Sequence, residues 1–173
     1  MAFKTVQITP TISLAAYADG DVFFNSELYL PSRGAKLIGG YLLDYDGQLG
    51  SDKLGLLFFA RNTNVLGEVN ASADITKANF RINQFQGAVN IADAIAGGDL
   101  MGEIDTPPVI RPFVAYDDVD VDTDLPASLE SRGPVLSSIE TGGKIYVSGV
   151  LHTVSGGPDF ATQAIDLVFH FEY

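Results

Sequence analysis

The sequence predicts an all-β fold, a β-sandwich or barrel built from many short strands, and three observations carry that prediction. The closing run "AIDLVFHFEY" sends Ile165, Leu167, Phe169 and Phe171 to one side and Asp166, Val168, His170 and Glu172 to the other, the period of two of an extended strand. Short apolar runs recur between clusters of Gly, Pro, Asn and Asp that favour turns. No apolar pattern keeps a helical period for more than a turn or two.

Taken in order, "TVQITPTISL" alternates Val6 and Ile8, then Ile12 and Leu14, with polar neighbours; Pro10 between them marks an edge strand or a bend, where a missing backbone donor costs little. Residues 1–5 form an ordered arm or a frayed end. Asp19-Gly20 is a turn before a strand over Val22 to Leu30, and "PSRG" is a loop. In "AKLIGGYLLDYDGQLG" the glycine pair predicts a bulge or a close backbone approach, and Asp46-Gly47 supplies turn chemistry. The continuous apolar run in "KLGLLFFARN" predicts a strand buried on both faces, at the centre of the core.

Further on, a short helix or turn is expected near Asp74 to Ala78, a strand from Phe85 to Ile91, and another helical turn at Ala92 to Ala96 ended by Gly97-Gly98. Glu103 to Gly143 holds five of the eight prolines and most of the clustered acid. Long loops carrying one or two strands, such as "PFVAY" and "PVLSSI", are expected over 97–143. "GKIYVSGVLHTVSGG" and "AIDLVFHFEY" are the two closing strands. No internal repeat and no boundary divides the chain, so residues 1–173 are expected to form one domain.

The length and the 46% hydrophobic content allow a sizeable core. With 22 acidic against 10 basic residues the formal charge is −12, which opposes nucleic acid and anionic membranes and makes a basic or neutral protein surface the easier partner. No cysteine is present, which rules out disulfides and thiolate metal sites. No run approaches the roughly 18 apolar residues that span a bilayer, and the start has no apolar leader segment, so a soluble chain made in the cytoplasm is expected.

The most unusual stretch is "YDDVDVDTD", with Asp117 followed by Asp118, Asp120, Asp122 and Asp124. As a calcium loop of EF-hand type starting at Asp118 it fails, because Thr123 stands where the sharp turn needs glycine and Leu129 where a bidentate glutamate belongs. On an extended strand the four alternate aspartates would line one face roughly 7 Å apart. Three readings stay open: a solvated or edge-protecting segment, a looser calcium site, and an acidic patch that meets a basic partner.

His152 and His170 lie on separate strand candidates without metal-ligand spacing, no nucleophile elbow appears, and "AGGD" and "SGGP" lack the lysine and helix of a phosphate loop. No catalytic, cofactor-binding or metal residues are therefore assigned, and no enzyme is expected. Eleven phenylalanines and seven tyrosines, without tryptophan, sit mostly at core-facing spacing.

At "VQITPTISLAAYADGDVFF", "AKLIGGYLLDYDG" and "KLGLLFFARN" the chain resembles a widespread set of small virion proteins of tailed bacteriophages. The matching residues are Thr9, Pro10 and Thr11; Ala16, Tyr17, Ala18, Gly20 and Asp21; Ile38 and Gly39; and Leu56, Leu57, Phe58 and Phe59. "GKIYVSGVLHT" and "DLVFHF" resemble the closing strands of the set. The resemblance spans 6–64 and 143–173; the acidic, loop-rich stretch 103–138 departs from it as an elaboration of this chain.

The resemblance implies a jelly-roll-like β-sandwich on the outer head surface of a virion. There it would act as a decoration or cement protein bound to the major capsid protein, with self-association into a homo-oligomer such as a trimer. The competing expectation is a head-fibre or tail-associated module that binds host glycans through exposed aromatics.

Overall fold

The computed structural model describes residues 1–50, 52–62, 66–91, 109–114, 133–153 and 157–173. Among the described residues nine strands and one helix follow one another: β1 (Phe3–Ile8), β2 (Val22–Tyr29), β3 (Gly34–Asp44), β4 (Lys53–Phe59), α1 (Lys77–Asn83), β5 (Phe85–Ile91), β6 (Val109–Val114), β7 (Val135–Ser137), β8 (Lys144–His152) and β9 (Ile165–Glu172). They form two antiparallel sheets packed face to face. One has the order β1-β9-β3-β6, with β7 also paired to β3; the other has the order β2-β8-β4-β5.

The alternation of β9 builds the shared core. Ile165, Leu167, Phe169 and Phe171 are all buried, and the Phe169 ring meets Phe58 of the opposite sheet edge to face at 6.1 Å and Phe113 at 6.0 Å. Such edge-to-face contacts add to the area that the rings remove from water. On β3, Leu37 and Leu42 both point inward although five positions apart, which a strict period of two forbids. The register shift between Leu37 and Gly39 supplies the odd residue. Beside it Gly40 is required by contact: a Cβ there would lie 2.0 Å from the Val168 carbonyl oxygen. The glycine pair thus marks both a bulge and a close approach, as its sequence predicts.

Where the two sheet edges approach, the Gln86 amide on β5 donates to the Ser137 carbonyl at 2.6 Å and accepts the Ser137 N–H at 3.1 Å. At one end of the sandwich the Asp44 carboxylate accepts N–H groups from Asp46, Gly47 and Leu49. That fixes the turn expected at Asp46-Gly47.

Several expectations need correction. The helix is not at Asp74 to Ala78 but at Lys77–Asn83, because Thr76 is the cap: its hydroxyl accepts the Asn79 N–H, while Asp74 accepts the Thr76 N–H one turn earlier. β4 is not buried on both faces throughout: Leu54, Leu56 and Phe58 are in the core and Phe59 is buried on the other side, but Lys53 is exposed and Gly55 and Leu57 are half-buried. Leu14 is exposed and residues 9–15 leave the ladder, Pro10 following the end of β1. Of the two expectations for the start of the chain, the frayed end is overturned, since Phe3 to Thr5 are ordered against β9 through Phe3↔Glu172 and Thr5↔His170. By contrast, the strands expected at "PFVAY" and "PVLSSI" are present as β6 and β7, while the turn expected at Ala92 to Ala96 lies outside the described residues.

Candidate functional site

Tyr17, Gly20 and Asp21 hold the start of β2 in place. The Tyr17 hydroxyl accepts the Ser13 N–H at 2.6 Å and donates to the Phe23 carbonyl at 3.1 Å. Burial pushes its pKa up to about 12, since a phenolate there would lose its water. Asp21 accepts the Ala18 N–H at 2.8 Å, and Gly20 turns the chain with a φ of 80°.

Among the described residues no three His, Asp or Glu side chains converge on a metal position. Asp117, Asp118, Asp120, Asp122 and Asp124 lie outside the described residues. The two histidines are far apart in role. His152 Nδ1 lies 2.8 Å from Asp19 on an exposed corner, where the Thr153 N–H and then His152 hold the Asp19 carboxyl below its ordinary value. His170 Nδ1 lies 3.0 Å from the Thr5 hydroxyl and its ring meets Tyr41.

His170 belongs to the outer face of the five-stranded sheet, where strand register places side chains in rows. One row runs Phe3, Glu172, Lys36; the next holds Thr5 and His170; the third runs Gln7, Val168, Tyr41, Pro112; the fourth runs Asp166, Leu43, Ile110. Ile110 is 47% exposed, Phe3 65% and Tyr45 44%, so the face is open to contact. Its rows hold two carboxylates, Glu172 and Asp166, and one cation, Lys36. Glu172 stands opposite Lys36, and the Asp166 carboxylate accepts from Gln7, Thr9 and Tyr45, whose hydroxyl is in turn pushed to a higher pKa by that bond. On a chain of net charge −12 this is a mixed surface of low charge with exposed apolar side chains.

The four-stranded sheet differs on its outer face. Val22, Phe59 and Leu66 are buried there, packed with Leu57, Ala73, Phe80, Tyr146 and Val150, so the segment that leads into α1 covers it. At one end Lys144 bridges Glu27 at 3.2 Å and Glu140 at 3.3 Å. Tyr146, then Glu27 and Glu140, raise its pKa, while hydrogen bonds from Tyr29 and Lys144 lower that of Glu27. The adjoining hollow, lined by Asn25, Glu27, Asn62, Tyr146 and Ser148 among others, holds only about 130 Å³, below the roughly 300 Å³ at which small-molecule sites begin.

Sequence reasoning assigned no site residues, and it missed the rows named above because their members come from opposite ends of the chain. It also missed Arg111, which is fully buried and donates to the carbonyls of Asp52, at 2.8 Å, and Gly50. The only signal for Arg111 was a charge inside the apolar run "VIRPFV". No family model, no curated protein and no solved structure matches this chain.

Proposed function

We propose that this chain is a virion structural protein, a decoration or cement protein that binds the outer surface of a major capsid shell and stabilises the head. The observation that carries the reading is the outer face of the five-stranded sheet, which holds few charges and several partly exposed apolar side chains on a strongly acidic protein. Exposed apolar surface of this kind marks contact with another macromolecule. Acid elsewhere keeps copies soluble and steers them toward less acidic surfaces.

The strand order supports the jelly-roll form. With β7 set aside, β1-β9-β3-β6 faces β2-β8-β4-β5, the eight-strand, two-sheet pattern of paired Greek keys. The motif residues Tyr17, Gly20, Asp21 and Gly39 have structural tasks, which fits a resemblance carried by framework. The role is mechanical: each copy spans neighbouring shell subunits and adds contacts that resist internal pressure, and self-association into a homo-oligomer multiplies modest contacts by avidity. The glycan-binding alternative has less support, because Tyr45 and Tyr41 are already engaged by Asp166 and His170.

Co-sedimentation with expanded capsid shells tests the reading. The wild-type protein binds saturably, and Ile110→Asp, which places a charge on the exposed edge strand of the open face, lowers affinity at least about tenfold while thermal unfolding is unchanged. Wild-type protein that ignores shells but is retained on host-surface polysaccharide would replace this reading with the fibre alternative.

A further inference from the structure

Beside α1 lies a second, different surface. Phe80 and Phe85 stack with ring centroids 4.7 Å apart, and both meet Phe59. With Ile75, Lys77, Arg81 and Gln84 they line a wide, open hollow of about 610 Å³. Ile75 is 64% exposed and Phe85 39%. Lys77 and Arg81 are four residues apart on the helix and so share one side of it. Among the described residues no acidic side chain lines the hollow, although acids outnumber bases by 22 to 10 along the chain.

We propose that this aromatic, basic hollow is the surface by which one copy of the chain holds the acid-rich surface of a second copy. Charge complementarity selects that occupant. Two of the ten basic residues are gathered here, so the rest of every other copy carries more net negative charge than the whole chain. A hollow-to-hollow contact would set Lys77 and Arg81 against their own equivalents, so the contact joins two unlike surfaces. Contacts of that type close into rings when the rotation permits. Ile75 and Phe85 supply the apolar area that becomes dry, and the two cations supply orientation and rate of association.

This names the surface for the self-association included in the capsid reading and rests on it for the role of the oligomer on the shell. The isolated protein serves for the test, so shell binding and self-association can fail separately. In sedimentation velocity at low salt, wild-type protein runs as a small closed oligomer and dissociates as salt screens the contact. Lys77→Glu combined with Arg81→Glu gives monomer, and Ile75→Ser weakens association at least about tenfold. Lys36→Glu, on the opposite sheet face, leaves the oligomer intact, and circular dichroism of all three variants matches wild type. A wild-type monomer at low salt overturns the proposal, as does an oligomer that survives both hollow variants or is dissolved equally by Lys36→Glu.

Discussion

The outer faces of the two sheets are made from similar strands but treated differently. On the four-stranded sheet Val22, Leu57, Phe59 and Val150 point outward, and Leu66, Ala73 and Phe80 close over them. On the five-stranded sheet Tyr41, Leu43, Ile110 and Pro112 point outward in register, and Ile110 and Pro112 remain exposed. The first arrangement turns a sheet face into a second small core. The second leaves apolar area in water, which costs free energy in the free protein and is recovered only when something covers it. Stability is therefore expected to reside in the covered face and shell contact in the open one.

The largest effect that sharpens this contrast is on the covered face. Phe59→Ala removes a ring packed against Phe80 and Phe85, and chemical denaturation is expected to show a loss of about 3–5 kcal/mol. A loss below about 1 kcal/mol would mean that the segment over this sheet is only loosely attached.

A smaller effect is expected at Tyr17, which belongs to neither outer face. Tyr17→Phe leaves the Ser13 N–H and the Phe23 carbonyl without their partner and lowers stability by about 1–3 kcal/mol. Its pH dependence has a definite sign. The folded pKa is raised from 10.0 to about 12, so this contribution is complete below pH 10.0 and is lost as pH rises through about 12. Thermal melts across that window fall more steeply for wild type than for Tyr17→Phe.

On the open face Ile110→Ser changes stability by no more than about 0.5 kcal/mol, yet weakens shell binding. A large loss of stability with intact binding would invert the comparison. The smallest effect is at the exposed corner. The Thr153 N–H and then His152 hold the Asp19 carboxyl below its ordinary value, so its contribution is present above the ordinary carboxylate range and lost as pH falls through the lowered folded value. Asp19→Asn flattens only this acid end of the stability profile, as read by melts at stepped pH.

The covered face was hardly legible in the sequence, and the reason is physical. Period-two patterns report which residues alternate, and so β9, the Asp19-Gly20 turn and the Gly39-Gly40 irregularity were foreseeable. What lies over a sheet depends on contacts between distant segments. Phe80 on α1 reaches Phe59 on β4, and no local pattern announces it; even the helix start moved to Thr76, where the hydroxyl meets the Asn79 N–H. The open face was legible strand by strand and illegible as a surface. Asp166 is read as an outward polar residue of β9, but its partners Gln7, Thr9 and Tyr45 come from elsewhere in the chain. Likewise Arg111 looks like an interruption of a strand until Gly50 and Asp52 offer their carbonyls to it.

Quantitative mass spectrometry of purified virions, with this protein counted against the major capsid protein, tests the central claim most directly. The account predicts abundance equal to that of the capsid protein or a simple fraction of it, as a protein covering repeated sites on the shell requires. A handful of copies per particle, or none, would contradict it.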